Sequence, residues 1–218
     1  MVKQSIMIGI AFIGGEGPTP PQSQRIVSAA ASAGTLVVAA DAGLVAAEAA
    51  GVRPDWIVGD MDSLDDTGRL ARYPADRVLR YAPDKDYTDT ELALALLWEH
   101  GATETWLIGG GGGRLDHLFA LRALFERERC PDIWITGNAT MYHIMEGNER
   151  HCSLPRGSLV SLFPLGAGPW HAMSRGLKWP LDALVWDRGF FGVSNVVENE
   201  HFAVSAEAGR FLLLLPDL

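Results

Sequence analysis

A pair of carboxylates in the sequence has the type and spacing of ligands for a divalent cation. In the segment GDMDS, Asp60 and Asp62 stand two residues apart at the end of an apolar run. Side chains at positions i and i+2 of an extended segment point to the same side. The two carboxylates could therefore hold a Mg²⁺ ion that carries a phosphate chain. The alternative is helix capping, since Ser63 or Asp62 could cap a helix that begins near Leu64.

A second acidic stretch, YAPDKDYTDTELALALL, leads into a helix-like apolar run. Thr88 and Glu91 fit a capping box, with Thr88 as the N-cap and Glu91 three residues later. Asp89 would lie in the first turn, where it suits the helix dipole, so it could be structural. Capping does not account for three charged residues before the helix, Asp84, Lys85 and Asp86. They could form an exposed loop, but their position after a predicted strand favours a metal and phosphate role, with the lysine as a point charge.

The segment GGGGGRLDHLFAL begins with five consecutive glycines, of which Gly112 and Gly113 are the last two. Glycine backbone N–H groups ahead of a helix can bind an anion. Arg114 could hold a phosphate, Asp116 could bind metal or accept a hydroxyl proton, and His117 could be a packing residue or a catalyst. The segment lacks the Gly-Lys-Ser/Thr of a P-loop and the third glycine of a dinucleotide-binding fingerprint. A flexible turn followed by a helix cap is the structural alternative.

The elements that must position these residues alternate over the first two-thirds of the chain. Continuous apolar runs predict buried strands at residues 5–12, 35–41, 55–60, 77–82, 104–110 and 132–137. Helical patterns fall between them, at residues 22–33, 44–50, after Thr88 and at 115–128. This order predicts a doubly wound, mostly parallel α/β sheet. Ligands of such sheets bind at the carboxyl ends of the strands, where Asp41 also stands.

The pattern changes after about Asn148, where helical periodicity disappears. Short apolar segments separated by Gly, Pro and Asn turns predict an all-β unit with strands at residues 157–165, 183–187, 201–206 and 210–216. We expect an α/β domain at residues 1–147 and a small antiparallel β domain at 148–218. The second domain is small for independent stability, so it should pack against the first domain or against another copy of the chain.

Composition excludes several classes of function. The 218 residues are 48% hydrophobic with a net charge of −9, which argues against a broad nucleic-acid footprint. No apolar stretch reaches the roughly 18 residues of a membrane span. The first residues, MVKQSIMIGIAFIGG, could mimic a signal peptide, but the loop after them favours a buried strand. Two distant cysteines without a CxxC motif favour a reducing cytosol.

Six motifs, in this order and spacing, resemble those of the thiamin pyrophosphokinase family. They are DAG at Asp41, PDWIVGDMDS, DKDYTD, GGRLDH, RGLKWPL, and VSN ending at Asn195. The resemblance spans most of the chain and implies an α/β domain followed by a β-sandwich, usually as a homodimer with thiamin between subunits. It implies Mg²⁺-dependent transfer of diphosphate from ATP to the thiamin hydroxyl, giving thiamin diphosphate and AMP.

The resemblance also implies roles for individual residues. Asp60, Asp62 and Asp86 would bind Mg²⁺. The acidic cluster would be completed by Asp41, Asp89 and Asp116, of which Asp116 would orient or deprotonate the hydroxyl. Lys85 and Arg114 would steady the phosphates. The ATP side would also include Gly112, Gly113 and His117, and thiamin would face Ser194 and Asn195.

The sequence departs from the family pattern at several positions. Ala42 replaces a glycine, Leu44 and Val45 stand where an asparagine is usual, and Leu121 replaces another asparagine. An early aromatic is absent after VSN. Two alternatives follow: a diphosphokinase for another hydroxymethyl heterocycle such as a pterin, or a non-catalytic nucleotide or thiamin sensor.

Overall fold

The computed structural model describes residues 6–62, 64 and 68–216 and divides the chain into two compact units. The first unit comprises Met1–Phe119 and Trp134–Gly137, and the second comprises Ala120–Ile133 and Asn138–Leu218. The predicted boundary after residue 147 therefore falls inside the second unit. The capping alternative at Ser63 lies outside the described residues.

The strands of the first unit form a sheet in the order β6-β5-β1-β2-β3-β4. Their bounds are β1 Ile8–Phe12, β2 Leu36–Ala40, β3 Trp56–Gly59, β4 Val78–Arg80, β5 Glu104–Ile108 and β6 Ile133–Ile135, whose first residue belongs to the second unit. Strands β1 to β5 pair in parallel. The predicted mostly parallel α/β sheet is confirmed, because each apolar run forms a strand, and all of these strands except β4 are largely buried.

Helices connect these strands. They are α1 Pro20–Ala30, α2 Gly43–Ala49, α3 Asp89–Glu99 and α4 Leu115–Leu124, and the division between the units falls within α4. Helix α2 packs against β1 and β2, and α3 packs against β1, β2 and β3. The α3 residues Leu94 and Leu97 are fully buried with Ile10 and Phe12 of β1. None of the described helices is long and apolar enough to cross a bilayer.

The strand order reverses direction at β1. The chain proceeds from β1 through β2 and β3 to β4 on one side, and β5 returns to the other side of β1. In open α/β sheets, ligands bind outside the carboxyl ends of the strands at such a switch point. The loops after β1, β2, β3, β4 and β5 therefore form the edge at which a site is expected.

The strands of the second unit pair in antiparallel fashion in two groups, ordered β11-β9-β13-β7 and β10-β12-β8. The strands are β7 Ala139–Ile144, β8 Glu149–Ser153, β9 Leu159–Leu165, β10 His171–Arg175, β11 Gly192–Val196, β12 His201–Ala208 and β13 Arg210–Pro216. The predicted strands at 157–165, 201–206 and 210–216 are confirmed.

The predicted strand at 183–187 is wrong. A 3₁₀ turn occupies Leu181–Ala183, and an irregular segment follows. Trp186 is buried and meets Phe211 edge-on, with ring centroids 5.0 Å apart. The apolar character of this segment thus reflects the burial of a loop side chain and not strand pairing.

Candidate active site

Three carboxylates converge at the carboxyl edge of the parallel sheet. Asp41 follows β2, Asp60 follows β3, and Asp89 is the first residue of α3. One oxygen of each lies within 4.8 Å of the others. The β2–β3 register pairs Ala40 with Val58, so the residues that follow both strands are neighbours. Within the described part of the chain, this is the acidic group with the geometry of a cation site.

Lys85 lies among these carboxylates. Its Nζ is 3.1 Å from Oδ1 of Asp89 and 3.6 Å from Oδ2 of Asp60. The three side chains are only 16%, 22% and 12% exposed, respectively. Burial alone would lower the pKa of Lys85, but the hydrogen bond and charge of Asp89, with the charges of Asp60 and Asp41, outweigh burial and raise this pKa. Lys85 is therefore a charged partner of the cluster.

An unusual backbone conformation places the Asp41 carboxylate. Asp41 has φ of 45° and Met61 has φ of 68°, both in the left-handed region. The backbone N–H of Met61 donates to Oδ1 of Asp41 at 3.0 Å. Burial, followed by the hydrogen bond and charge of Asp89, raises the pKa of Asp41 to about 7. Asp41 therefore exchanges a proton near neutral pH.

Asp60 differs from Asp41 because its hydrogen bonds and the charge of Lys85 outweigh the effect of burial on its pKa. The backbone N–H of Asp62 donates to Oδ1 of Asp60 at 3.1 Å. This bond, with further contributions from Asp62 and Lys85, lowers the pKa of Asp60. Asp60 is thus held as the carboxylate that a metal ion requires.

The structure does not bring all the predicted metal ligands together. Asp60 lies in the cluster, whereas Asp62 and Asp86 are exposed and outside it, as is Asp84. The prediction for Asp62 assumed an extended backbone, and this assumption is wrong because Met61 adopts a left-handed φ. The role of Asp62 and Asp86 as metal ligands stays a prediction. Asp89, which the sequence left undecided, lies both in the first turn of α3 and in the cluster.

The start of α3 supports this arrangement. Thr88 is the N-cap, and its Oγ1 accepts from the N–H of Glu91 at 3.3 Å. The N–H of Thr88 donates back to Glu91 at 2.8 Å. The predicted capping box is therefore confirmed, and it fixes the position of Asp89 one residue later.

The glycine loop after β5 lies against the loop after β1. The N–H of Gly110 donates to the carbonyl of Gly14 at 2.8 Å, and the N–H of Glu16 donates to that of Gly111 at 2.7 Å. A Cβ atom on Gly112 would lie 2.6 Å from Oε1 of Glu16, whereas one on Gly113 would meet nothing within 4 Å. No motif in the sequence indicates Glu16, which lies four residues after the end of β1. The Glu16 carboxylate lies against the glycine loop predicted to bind phosphate. Its negative charge disfavours the binding of an anion without an accompanying cation.

Arg114 and Asp116 form a bidentate pair at the start of α4. Nε and Nη2 of Arg114 donate to the two oxygens of Asp116 at 3.2 and 2.5 Å. Both side chains are more than 60% exposed. The hydrogen bonds from Arg114 lower the pKa of Asp116 to about 2. His117, the residue after Asp116, is also exposed.

The two residues predicted to face thiamin have different surroundings. Ser194 is exposed with φ of 60°, and its N–H donates to Oγ of Ser161 at 3.2 Å. Asn195 is buried, and its Nδ2 donates to the carbonyl of Trp179 at 2.7 Å while its Oδ1 accepts from the N–H of Trp179 at 3.2 Å. The Asn195 amide therefore fixes the backbone at Trp179.

The second unit also has a cavity of about 470 Å³ on its three-stranded sheet. His151, Ser153, Arg175 and His201 are among its lining residues. None of the predicted site residues lines it, so its size alone does not make it the candidate active site.

Comparison with known families matches both parts of the chain. The model described as thiamin pyrophosphokinase, catalytic domain, matches residues 27–135, and the model described as thiamin pyrophosphokinase, vitamin B1 binding domain, matches residues 143–211. No curated protein sequence matches the chain.

Several solved structures share the fold. A thiamin pyrophosphokinase from Bacillus subtilis has a TM-score of 0.77 at 24% identity, covering 97% of this chain and 100% of its own. One from Geobacillus thermodenitrificans has a TM-score of 0.73 at 24% identity, covering 98% of both chains. One from Candida albicans has a TM-score of 0.70 at 15% identity, covering 97% of this chain and 89% of its own.

Proposed function

Because the chain belongs to the thiamin pyrophosphokinase family and is therefore a thiamin diphosphokinase, we propose that it transfers a diphosphate group from ATP to the thiamin hydroxyl. The transfer depends on Mg²⁺ and releases AMP. Residues 1–147 carry catalysis in this proposal, and residues 148–218 bind thiamin and mediate dimerisation. The enzyme acts as a cytoplasmic homodimer.

The observation that carries the proposal is the convergence of Asp41, Asp60 and Asp89 within 4.8 Å. Mg²⁺ prefers hard oxygen ligands and is commonly held by one or two carboxylates together with substrate phosphates. The three carboxylates therefore fit this ion, with Asp62 and Asp86 as further predicted ligands. When bound, Mg²⁺ would neutralise the phosphate charge and align the reacting groups.

The residues of the chain supply binding and orientation. Lys85 and Arg114 provide positive charge for the phosphate chain, and the backbone N–H groups around Gly112 and Gly113 provide donors on the ATP side, beside His117. Asp116 accepts or orients the proton of the attacking hydroxyl. Because phosphoryl transfer requires little covalent participation by the protein, charge and alignment supply most of the catalysis.

Thiamin binding and dimerisation are proposed for the second unit. Ser194 and Asn195 would lie on the thiamin side, with Asn195 acting through the backbone of Trp179. Exposed apolar side chains between residues 179 and 193 support an interaction surface there; they are Trp179, Val185, Phe190, Phe191 and Val193.

The test is a coupled assay for AMP with purified protein, ATP, Mg²⁺ and thiamin. We expect AMP in proportion to thiamin diphosphate, and none when EDTA replaces Mg²⁺. AMP formation with a hydroxymethyl pterin but not with thiamin would replace the proposed acceptor by the alternative heterocycle. Sedimentation of the same sample measures the proposed dimer.

A further inference from the structure

The acidic cluster carries its own positive charge. Asp41, Asp60 and Asp89 bring up to three negative charges within 4.8 Å of one another. At such separations, in a partly buried site, like charges repel strongly. The ammonium group of Lys85 offsets part of this repulsion, because it lies 3.1 Å from Asp89 and 3.6 Å from Asp60.

Lys85 uses the same carboxylates that a divalent cation would need. Its Nζ approaches Oδ2 of Asp60 and Oδ1 of Asp89, and both of these residues belong to the group that could hold a metal ion. An ammonium group and a divalent cation repel each other and compete for carboxylate oxygens. Lys85 must therefore withdraw from at least one carboxylate before a cation can be held by both.

The position of Lys85 in the chain allows such a withdrawal. It lies in the segment between β4 and α3, outside regular structure, with exposed neighbours Asp84 and Asp86. A lysine side chain is a flexible stem with a single charge at its end, so it can move several ångströms without a change in the sheet. Phosphate oxygens that arrive with the cation would offer the displaced ammonium new acceptors.

We propose that Lys85 is an internal counter-ion that holds the acidic cluster together before the metal binds and then passes to the phosphate chain. This inference rests on the proposed function for the identity of the arriving ligand, ATP with a divalent cation. Its consequence is coupling: the cluster binds a bare cation weakly, and it binds the cation tightly when phosphates accompany it. Lys85 is thus a positioning residue whose charge sets the order of binding.

The test measures Mn²⁺ affinity by electron paramagnetic resonance, in the wild-type protein and in Lys85→Met, which has a similar length and no charge. Without nucleotide, Lys85→Met should bind Mn²⁺ about tenfold more tightly, within the usual range of coupling between sites. With a non-hydrolysable ATP analogue, the advantage should disappear or reverse. In EDTA, Lys85→Met should melt at a lower temperature than the wild type, and excess Mg²⁺ should remove the difference.

Lys178→Met is the matched control, because the same charge is lost from an exposed residue in the second unit. It should leave Mn²⁺ affinity unchanged. Lys85→Gln, which keeps a hydrogen-bond donor, repeats the measurement if the methionine variant does not fold. The inference is overturned if neither Lys85 variant binds bare Mn²⁺ more tightly than the wild type.

The AMP assay separates this inference from the proposed function. AMP formation by the wild type, with unchanged Mn²⁺ affinity in both Lys85 variants, would retain the function and remove the counter-ion role. A gain of Mn²⁺ affinity in the Lys85 variants, without AMP formation by the wild type from ATP and thiamin, would retain the counter-ion role and remove the proposed function.

Discussion

The carboxylate of Asp41 lies so close to the Cα atom of Gly59 that a side chain at position 59 would collide with it. A Cβ atom on Gly59 would lie 2.3 Å from Oδ1 of Asp41. Gly59 also has φ of 140°, a conformation that residues with side chains rarely adopt. The end of β3 is therefore shaped to seat the carboxylate that follows β2.

Gly59→Ala should disrupt the acidic cluster, because the new methyl group must displace Asp41. We expect Mn²⁺ affinity to fall at least tenfold and the free energy of unfolding to fall by about 1–3 kcal/mol from backbone strain. Titration with Mn²⁺ and urea denaturation measure the two effects. Gly34→Ala is the control, because Gly34 also has a positive φ, 83°, but its Cβ would meet nothing within 4 Å. It should lose stability and keep its metal affinity, and equal metal affinity in both variants would contradict the role of Gly59.

The stability of the metal-free protein should depend on the protonation of Asp41. Burial and Asp89 raise its pKa from 3.8 to about 7, so the folded state binds more protons than the unfolded state between these values. The contribution of Asp41 to the stability of the folded protein should therefore be greatest below pH 4 and should fall as the pH rises towards 7. Asp41→Asn should flatten this trend, because the amide resembles the protonated acid and asparagine tolerates a left-handed φ.

Melting temperatures in EDTA from pH 4 to 8 measure this difference between the wild type and Asp41→Asn. Asp55→Asn is a less suitable control, because Asp55 accepts from the N–H of Val37. Asp76→Asn, at an exposed position, should reproduce the wild-type slope. Parallel curves for the wild type and Asp41→Asn would contradict a raised pKa at Asp41.

Local patterns in the sequence predicted much of the first unit, and long-range contacts account for what they missed. Apolar runs predicted β1 to β6, and the spacing of Thr88 and Glu91 predicted the cap of α3, because both depend on neighbouring residues. The convergence of Asp41, Asp60 and Asp89 depends on the β2–β3 register and on the packing of α3, which no single segment encodes.

Two further differences have local causes that the sequence conceals. The left-handed φ of Met61, 68°, turns the chain between Asp60 and Asp62, although methionine gives no sign of such a turn. In the second unit, the strands β8 and β10 are largely polar and have no continuous apolar run. Their pairing with β12 could not be predicted from hydrophobic periodicity alone.

Asp116→Asn should reduce kcat by about 10²–10⁴, the usual contribution of a general base, without a change in melting temperature. The pair with Arg114 is exposed, so its loss should not destabilise the fold. Arg114 lowers the pKa of Asp116 to about 2, so in the proposed mechanism this carboxylate is a weak base until the arginine moves to a phosphate. Arg114→Gln should therefore raise the apparent pKa of Asp116 in the pH profile of kcat/KM. Unchanged kcat in Asp116→Asn would show that the hydroxyl proton leaves by another route.

Asn195→Ala should destabilise the second unit and not merely weaken thiamin binding. The Asn195 amide is buried and bonded to both backbone groups of Trp179, and its Oδ1 also accepts from the N–H of Val196 at 2.8 Å. Leaving these groups without partners costs about 1–3 kcal/mol, which urea denaturation followed by tryptophan fluorescence would measure.

Ser194→Ala is the comparison, because the Ser194 side chain is exposed and the positive φ at this position strains serine and alanine alike. It should raise KM for thiamin at nearly unchanged stability. If Asn195→Ala instead kept full stability and raised only KM for thiamin, the Asn195 amide would contact the substrate directly.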